Sequence, residues 1–299
     1  MSEVAWSRRQ VLRSTLLGAA AIGAPGLLGA CSKSAEAKKS GVLAAARKQG
    51  FIRVGFANEA PFGFADAAGR LTGQAPEVAR AIFKELGVPE LQGALTEFGS
   101  LIPGLRAGRF DVIAAGMFIN PERCKQILFS VPDYCSRVAF LVRTGNPAGI
   151  TRYEDVAKKA DLRLGVLSGA VEADYAMGAG VPERQLVTFN DPPSGVEGLI
   201  SGRIDAFSLT SISLRNLLSN NPAGGLLLTE PFVPVVKGEP QAGCGGYGFR
   251  KDDEELLDAF NEQLTKKLKD GTVLGIIEPF GFSKSELATD HTTAELCKG

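Results

Sequence analysis

Histidine is almost absent from this chain of 299 residues: His291, close to the C-terminus, is the only one. Imidazole acid–base catalysis and the common histidine-containing metal sites therefore have little to build on, and no cofactor is expected. Neither sign of charge is in excess. Thirty-three basic residues face thirty-three acidic ones, so the chain lacks the field that grips a polyphosphate backbone, and nucleic acid is not an expected partner. Tryptophan occurs once, at Trp6. Long apolar runs are missing too: the stretch 16–28 is short and broken by Gly18, Gly23, Pro25 and Gly26, which excludes a stable membrane-spanning helix. What remains, 44% hydrophobic and 22% charged, is the balance of a globular protein large enough for one or two cores.

The N-terminal segment reads as an export signal. Ser7, Arg8 and Arg9 begin a twin-arginine pattern, Leu12 and Arg13 continue it, and the broken apolar stretch follows. Leu28-Gly29-Ala30-Cys31 then sets small residues before a cysteine, the arrangement of a lipoprotein cleavage site, with the Cys31 thiol as the point of lipidation. The alternative, a buried structural thiol, sits poorly between an apolar run and a polar tract. The expectation is a signal peptide at 1–30, a lipid-anchored tether at 31–41 and a protein exported to the outer face of the cytoplasmic membrane. Removing 1–30 takes out Glu3 and Arg8, Arg9 and Arg13, leaving 30 basic and 32 acidic residues. Four cysteines follow Cys31: Cys124, Cys135, Cys244 and Cys297. An oxidising compartment allows three full pairings, of which nearness in sequence favours Cys124 with Cys135.

Beyond the tether, short apolar runs alternate with amphipathic segments at the spacing of βαβ units. Strands are expected at 52–56, 95–98, 111–114, 162–167, 186–189 and 204–209, and helices at 76–86 and 252–269. The fold class is α/β. One internal echo suggests duplication: residues 105–111 and 199–205 both read L-x-x-G-R-apolar-D, a helix ending on glycine before a strand opening near aspartate. Two lobes of similar plan follow, the first from 42–139 and 243–299, the second from 140–242. Two chain crossings, within 135–146 and the Pro- and Gly-rich 231–248, would make a hinge, and ligand would bind between the carboxyl ends of the strands.

Several residues fall at those ends. Asn58-Glu59-Ala60-Pro61-Phe62-Gly63-Phe64 follows the first strand and can hold a carboxylate and a ring over the cleft; the plainer alternative makes Phe62 core and Glu59 solvated. Phe98 and Phe118 end two further strands, and aromatic faces attract a diffuse cation. Asn120 can cap a helix with Pro121 at its first position. Arg123 then stands in the first turn, where the helix dipole disfavours a cation, a position that makes sense if the guanidinium grips an anion sideways; a surface pair with Glu122 is the alternative. In the second lobe, Ser168-Gly169-Ala170-Val171 joins a strand to a helix start, whose N–H groups could receive an anion. Thr210 stands five residues after Asp205, as Gly116 stands five after Asp111.

These residues resemble the family-3 (type II) periplasmic solute-binding proteins. The resemblance runs through Ile52-Arg53-Val54-Gly55, the run from Phe118 to Arg123, Phe129-Ser130, Pro132-Asp133-Tyr134 and Gly202-Arg203-Ile204-Asp205-Ala206. Within the family, the 58–64 loop, Thr96-Glu97-Phe98-Gly99-Ser100, Ala115-Gly116-Met117-Phe118, Pro121-Glu122-Arg123-Cys124 and 243–248 are similar to the binders of ectoine and hydroxyectoine. The resemblance implies a two-lobed fold, capture of a small zwitterionic compatible solute, an ABC permease as partner and a monomer. It also implies Arg123 on the solute carboxylate, Glu59 on the ring nitrogen side and Phe62, Phe98 and Phe118 as an aromatic box, with Asn120, Gly169, Ala170, Val171 and Thr210 completing the site. Two departures stand out. Thr210 replaces the aspartate that amino-acid binders use for an α-ammonium, and Asn120 replaces a common threonine. A rival ligand is another small zwitterion or a basic amino acid. A rival class is a dehydratase-type enzyme, with acids such as Glu59, Glu172 and Asp191 in the cleft, against which stand the missing histidine, nucleophile elbow and metal cluster.

Overall fold

A computed structural model describes residues 41–221, 225–288 and 290–298. The twin-arginine leader, Cys31 and nearly all of the expected tether lie outside the described residues. Helix α1 (Val42–Gln49) leads into strand β1 (Phe51–Phe56). The ribbon β2 (Phe64–Ala65) and β3 (Leu71–Thr72) is followed by α2 (Gln74–Glu85), β4 (Glu90–Leu95), a 3-10 turn at Phe98–Ser100, α3 (Leu101–Arg106) and β5 (Val112–Phe118). Next come α4 (Pro121–Cys124), β6 (Leu128–Phe129) and β7 (Tyr134–Cys135). The second lobe comprises β8 (Val138–Arg143), α5 (Tyr153–Ala157), β9 (Leu164–Leu167), α6 (Glu172–Gly178), β10 (Leu186–Phe189), α7 (Pro192–Ile200), β11 (Ala206–Thr210), α8 (Ser211–Ser219), β12 (Leu226–Leu228) and the ribbon β13 (Val235–Val236) with β14 (Glu239–Pro240). The chain then returns through β15 (Cys244–Phe249) to α9 (Glu254–Lys269), α10 (Thr272–Ile277) and α11 (Thr293–Leu296).

The two sheets share one plan. The first runs β4-β1-β5-β15-β6, with β7 also on β15; the second runs β10-β9-β11-β8-β12. In each, three parallel strands are completed by an antiparallel one, β15 against β5 and β8 against β11. Each antiparallel strand is the one that has just crossed from the other lobe. The crossings are short, at 136–137 and 241–243, and are joined by the bond from Ser136 N–H to the Gly243 carbonyl, 2.7 Å. Residues 138 and 139 already pair in the second sheet, opposite Thr210 and Leu209, two residues before the expected boundary.

Helix α2 buries Val78, Ala79, Ile82 and Phe83, and Phe83 meets Phe260 of α9 at 5.5 Å between ring centroids. Tyr247 and Phe249 of β15 pack on the same Phe260 ring. The last long helix is thereby fastened to the first lobe, and truncating Phe260 to alanine would cost about 3–5 kcal/mol.

Three sequence expectations are corrected. The strand placed at 95–98 is Glu90–Leu95, and Phe98 opens a 3-10 turn. The Gly-rich end of the expected crossing is an interior strand, β15, all six of whose residues are buried. Its glycines are required by close neighbours: a Cβ on Gly245 would overlap the Tyr134 ring, and one on Gly248 would press on Ile113 and Ile127. The cysteines pair as Cys124–Cys297 and Cys135–Cys244, not Cys124 with Cys135. Register decides this, since Cys135 and Cys244 stand opposite each other on β7 and β15.

Candidate functional site

Between the carboxyl ends of the two sheets lies a small, partly open cavity, lined by Glu59, Phe98, Gly116, Phe118 and Arg123 of the first lobe and Ala170, Val171, Glu172, Leu209 and Thr210 of the second. Among the described residues that line it, Arg123 is the only cation. The residue is 7% exposed, and local sequence explains its position. Asn120 Oδ1 accepts the Arg123 backbone N–H at 2.9 Å and Pro121 starts the helix, so α4 turns the guanidinium inward from the end of β5. Nη1 donates to the Phe118 carbonyl at 2.6 Å and Nη2 to the Gly169 carbonyl at 2.9 Å. The guanidinium carbon stands 5.5 Å from the Phe98 ring centroid. Among the described residues no carboxylate lies within salt-bridge range of it; Glu122 pairs instead with Lys125. A guanidinium has five N–H groups, so three remain for an anion such as a carboxylate.

Glu59 is held by its own loop, which closes through reciprocal backbone bonds to Gly63 at 3.0 and 3.1 Å. Its Oε1 accepts the Ser213 hydroxyl at 2.6 Å across the cleft. Burial pushes its carboxyl up to about 7, and the Ser213 bond offsets part of that. Glu172, the first residue of α6, faces the same cavity from the second lobe. Burial pushes it up to about 7 as well; Glu59 reinforces the shift, while its own backbone N–H and Arg123 oppose it. Its Oε2 is buried without a hydrogen-bond partner. Two carboxyl groups thus face one guanidinium. For Arg123 burial works against the charge, and Glu172 is the main group working for it.

The lobes touch around this cavity. A Cβ on Gly169, at φ +74, would overlap Gly99 of the first lobe; Asn190 Nδ2 donates to Glu97 Oε1 at 3.1 Å. With the Arg123 and Ser213 bonds, these contacts define a closed form.

Not every expected residue lines the cavity. Phe62 lies beneath it, packed on Tyr134 at 4.9 Å and Phe282 at 5.4 Å, in contact with Gly116, where a Cβ would overlap its ring. It is part of the floor and supports Phe118 through Tyr134 rather than forming a third wall. Asn120 is occupied as a helix cap and lies toward the outer mouth of the cleft with Gly169. Gly169 turns its carbonyl to Arg123, and Glu172 and Asp174 already fill the acidic first turn of α6, so an anion site at 169–171 finds no support there. Ala170 and Val171 do line the cavity. Thr210 lines it but its hydroxyl caps α8, accepting from Ser213 N–H at 3.2 Å. Glu172, weighed in the sequence only as an acid for catalysis, belongs to this site, and Ser213 was missed. The signal for both was available: each follows a strand end by a few residues at a helix start.

Comparison with known proteins gives the family and the fold. The profile of the bacterial extracellular solute-binding proteins, family 3, matches residues 52–283. The probable amino-acid ABC transporter periplasmic-binding protein y4tE of Sinorhizobium fredii is 34% identical over 269 residues, 88% of each chain. Among solved structures, EhuB in complex with hydroxyectoine is 41% identical with a TM-score of 0.79, covering 86% of this chain and 97% of that one. An ancestral arginine-binding protein bound to arginine is 34% identical with a TM-score of 0.66, covering 77% and 98%.

Proposed function

The chain belongs to the bacterial extracellular solute-binding proteins of family 3, and from that premise we propose that the solute it captures is ectoine or hydroxyectoine. Its coarser role is that of a substrate-binding component of an ABC importer of the amino-acid type, a periplasmic or extracellular binding protein and not an enzyme. The observation that carries the ligand assignment is the cavity's chemistry. One buried guanidinium with free N–H groups suits a carboxylate, and the faces of Phe98 and Phe118 suit a diffuse cation. Thr210, capping a helix, stands where a compact α-ammonium would need an anion. The likeness to EhuB with hydroxyectoine supports the same reading.

A basic amino acid is the second reading, favoured by the two acids Glu59 and Glu172 and by the arginine-bound relative. Isothermal titration calorimetry of the purified protein with ectoine, hydroxyectoine, arginine and glycine betaine separates the two. Tight ectoine or hydroxyectoine binding that arginine fails to displace supports the proposal; heat with arginine alone sinks it. Solute held between the lobes stabilises the closed form, and that form is what the permease would engage. The lipid anchor through Cys31 is proposed on the same footing, and metabolic labelling with palmitate, lost in Cys31→Ser, would test it.

A further inference from the structure

The cavity holds one more acid than its guanidinium can neutralise. Glu59 reaches it from the loop after β1 and Glu172 from the start of α6, both about 95% or more buried, opposite the single cation Arg123. The other titratable groups around Glu172 are Asp174 and Tyr175 on its own helix, Tyr153 of α5 and Tyr134 of β7. None adds a positive charge. A buried excess anion is costly, so the closed site keeps a proton on one of the two carboxyls. Geometry says which. The Ser213 hydroxyl donates to Glu59 Oε1 and stabilises its charged form, whereas Glu172 Oε2 has no partner.

We propose that Glu172 is a specificity-determining residue that makes the cleft count charge: a solute of net charge zero is taken with the Glu172 proton retained, and a solute of net charge +1 only as that proton leaves to water. The inference rests on the reading that Arg123 holds the solute carboxylate and Glu59 its cation. The balance is closed in both cases. A zwitterion such as ectoine sets its carboxylate on Arg123 and its amidinium on Glu59, leaving Glu172 neutral. Arginine brings a second cation, which the site neutralises by ionising Glu172. Affinity for the zwitterion is then flat with pH below about 7, where Glu172 already holds its proton, while affinity for arginine climbs about tenfold per pH unit over the same range.

Calorimetry of the full protein between pH 5.5 and 9, in buffers of different ionisation enthalpy, counts these protons directly. The expected result is no proton exchanged with ectoine and about one released with arginine near pH 6. Glu172→Gln, which has no proton to give up, should abolish both the arginine pH slope and the proton release on arginine binding. Glu59→Gln should lose ectoine. Release or uptake of a full proton with ectoine near pH 6, an unchanged arginine slope in Glu172→Gln, or no arginine binding even at pH 9 would each overturn the proposal. If ectoine gives no heat but arginine shows the slope, the ligand assignment falls while the charge count stands. The wild-type proton count needs no variant to fold.

Discussion

The two copies of the L-x-x-G-R-apolar-D unit begin alike and end differently. In both, a glycine in the left-handed region ends the helix, Gly108 at φ +70 and Gly202 at φ +74, and the aspartate N–H bonds back to the strand beside it, to Arg53 and Arg163. In both, the aspartate carboxylate receives an arginine. Asp111 accepts both Arg53 and Arg250, at 2.8–3.1 Å; Asp205 accepts Arg143 at 3.1 Å and the Arg163 N–H at 2.9 Å. Beyond the aspartate the copies part. The first strand runs on to Phe118 and delivers Arg123 to the cavity. The second stops at Thr210, whose hydroxyl is used on its own helix, and sends Ser213 across to Glu59. The same plan recurs in both lobes, and the cavity's arginine comes from one of them.

The largest break in this comparison should come from Arg123→Ala, which removes the cavity's cation: solute affinity should fall at least ~100-fold in calorimetry. Asp111→Ala comes next. It removes the buried carboxylate that Arg53 and Arg250 share, leaving Arg250 with Asp253 alone, and should cost about 3 kcal/mol in urea unfolding, against about 1 kcal/mol for the more exposed Asp205→Ala. Equal losses would erase the asymmetry between the copies.

A pH series sharpens it further. Glu59, Asp133 and Glu172 are all raised to about 7 by burial, from ordinary values of 4.5, 3.8 and 4.5. Between those limits the folded form binds more protons than the unfolded chain. Their contribution to stability is therefore full below about 4 and lost as pH rises through about 7, each group accounting for roughly 3–4 kcal/mol at most. Thermal unfolding of the solute-free protein should occur several degrees lower at pH 8 than at pH 5, with a smaller difference in Glu172→Gln. Removing the staple beside Arg123 by Cys124→Ser with Cys297→Ser should cost about 2 kcal/mol of stability in denaturant. The smallest effect belongs to Thr210→Ala: about 1 kcal/mol of stability for a lost cap, with solute affinity changed less than about threefold.

Much of the fold was legible because its signals are local. The period of α2, the Asn120 cap with Pro121, and the paired glycine-to-aspartate units could be read from a few adjacent residues. Strand β15 could not, because Cys-Gly-Gly-Tyr-Gly-Phe has the composition of a turn; only the rings and branched chains lying over its glycines make it a core strand. Of three phenylalanines expected at the site, sequence had no means to tell that Phe62 supports the floor while Phe98 and Phe118 line the wall. Glu172 was visible as an acid but not as the partner of Glu59, since the two are separated by more than a hundred residues.

The sequence by itself determined the α/β alternation, the two-lobed duplication and the identity of the buried cation, because periodicity, capping and motif spacing act over one or two turns of chain. Tertiary structure alone decided the cysteine partners, the walls of the cavity and the gathering of two carboxyls and one arginine around it. Those depend on strand register and on lobe contact, which bring distant segments within hydrogen-bond range and remove the water that would otherwise keep every acid ionised.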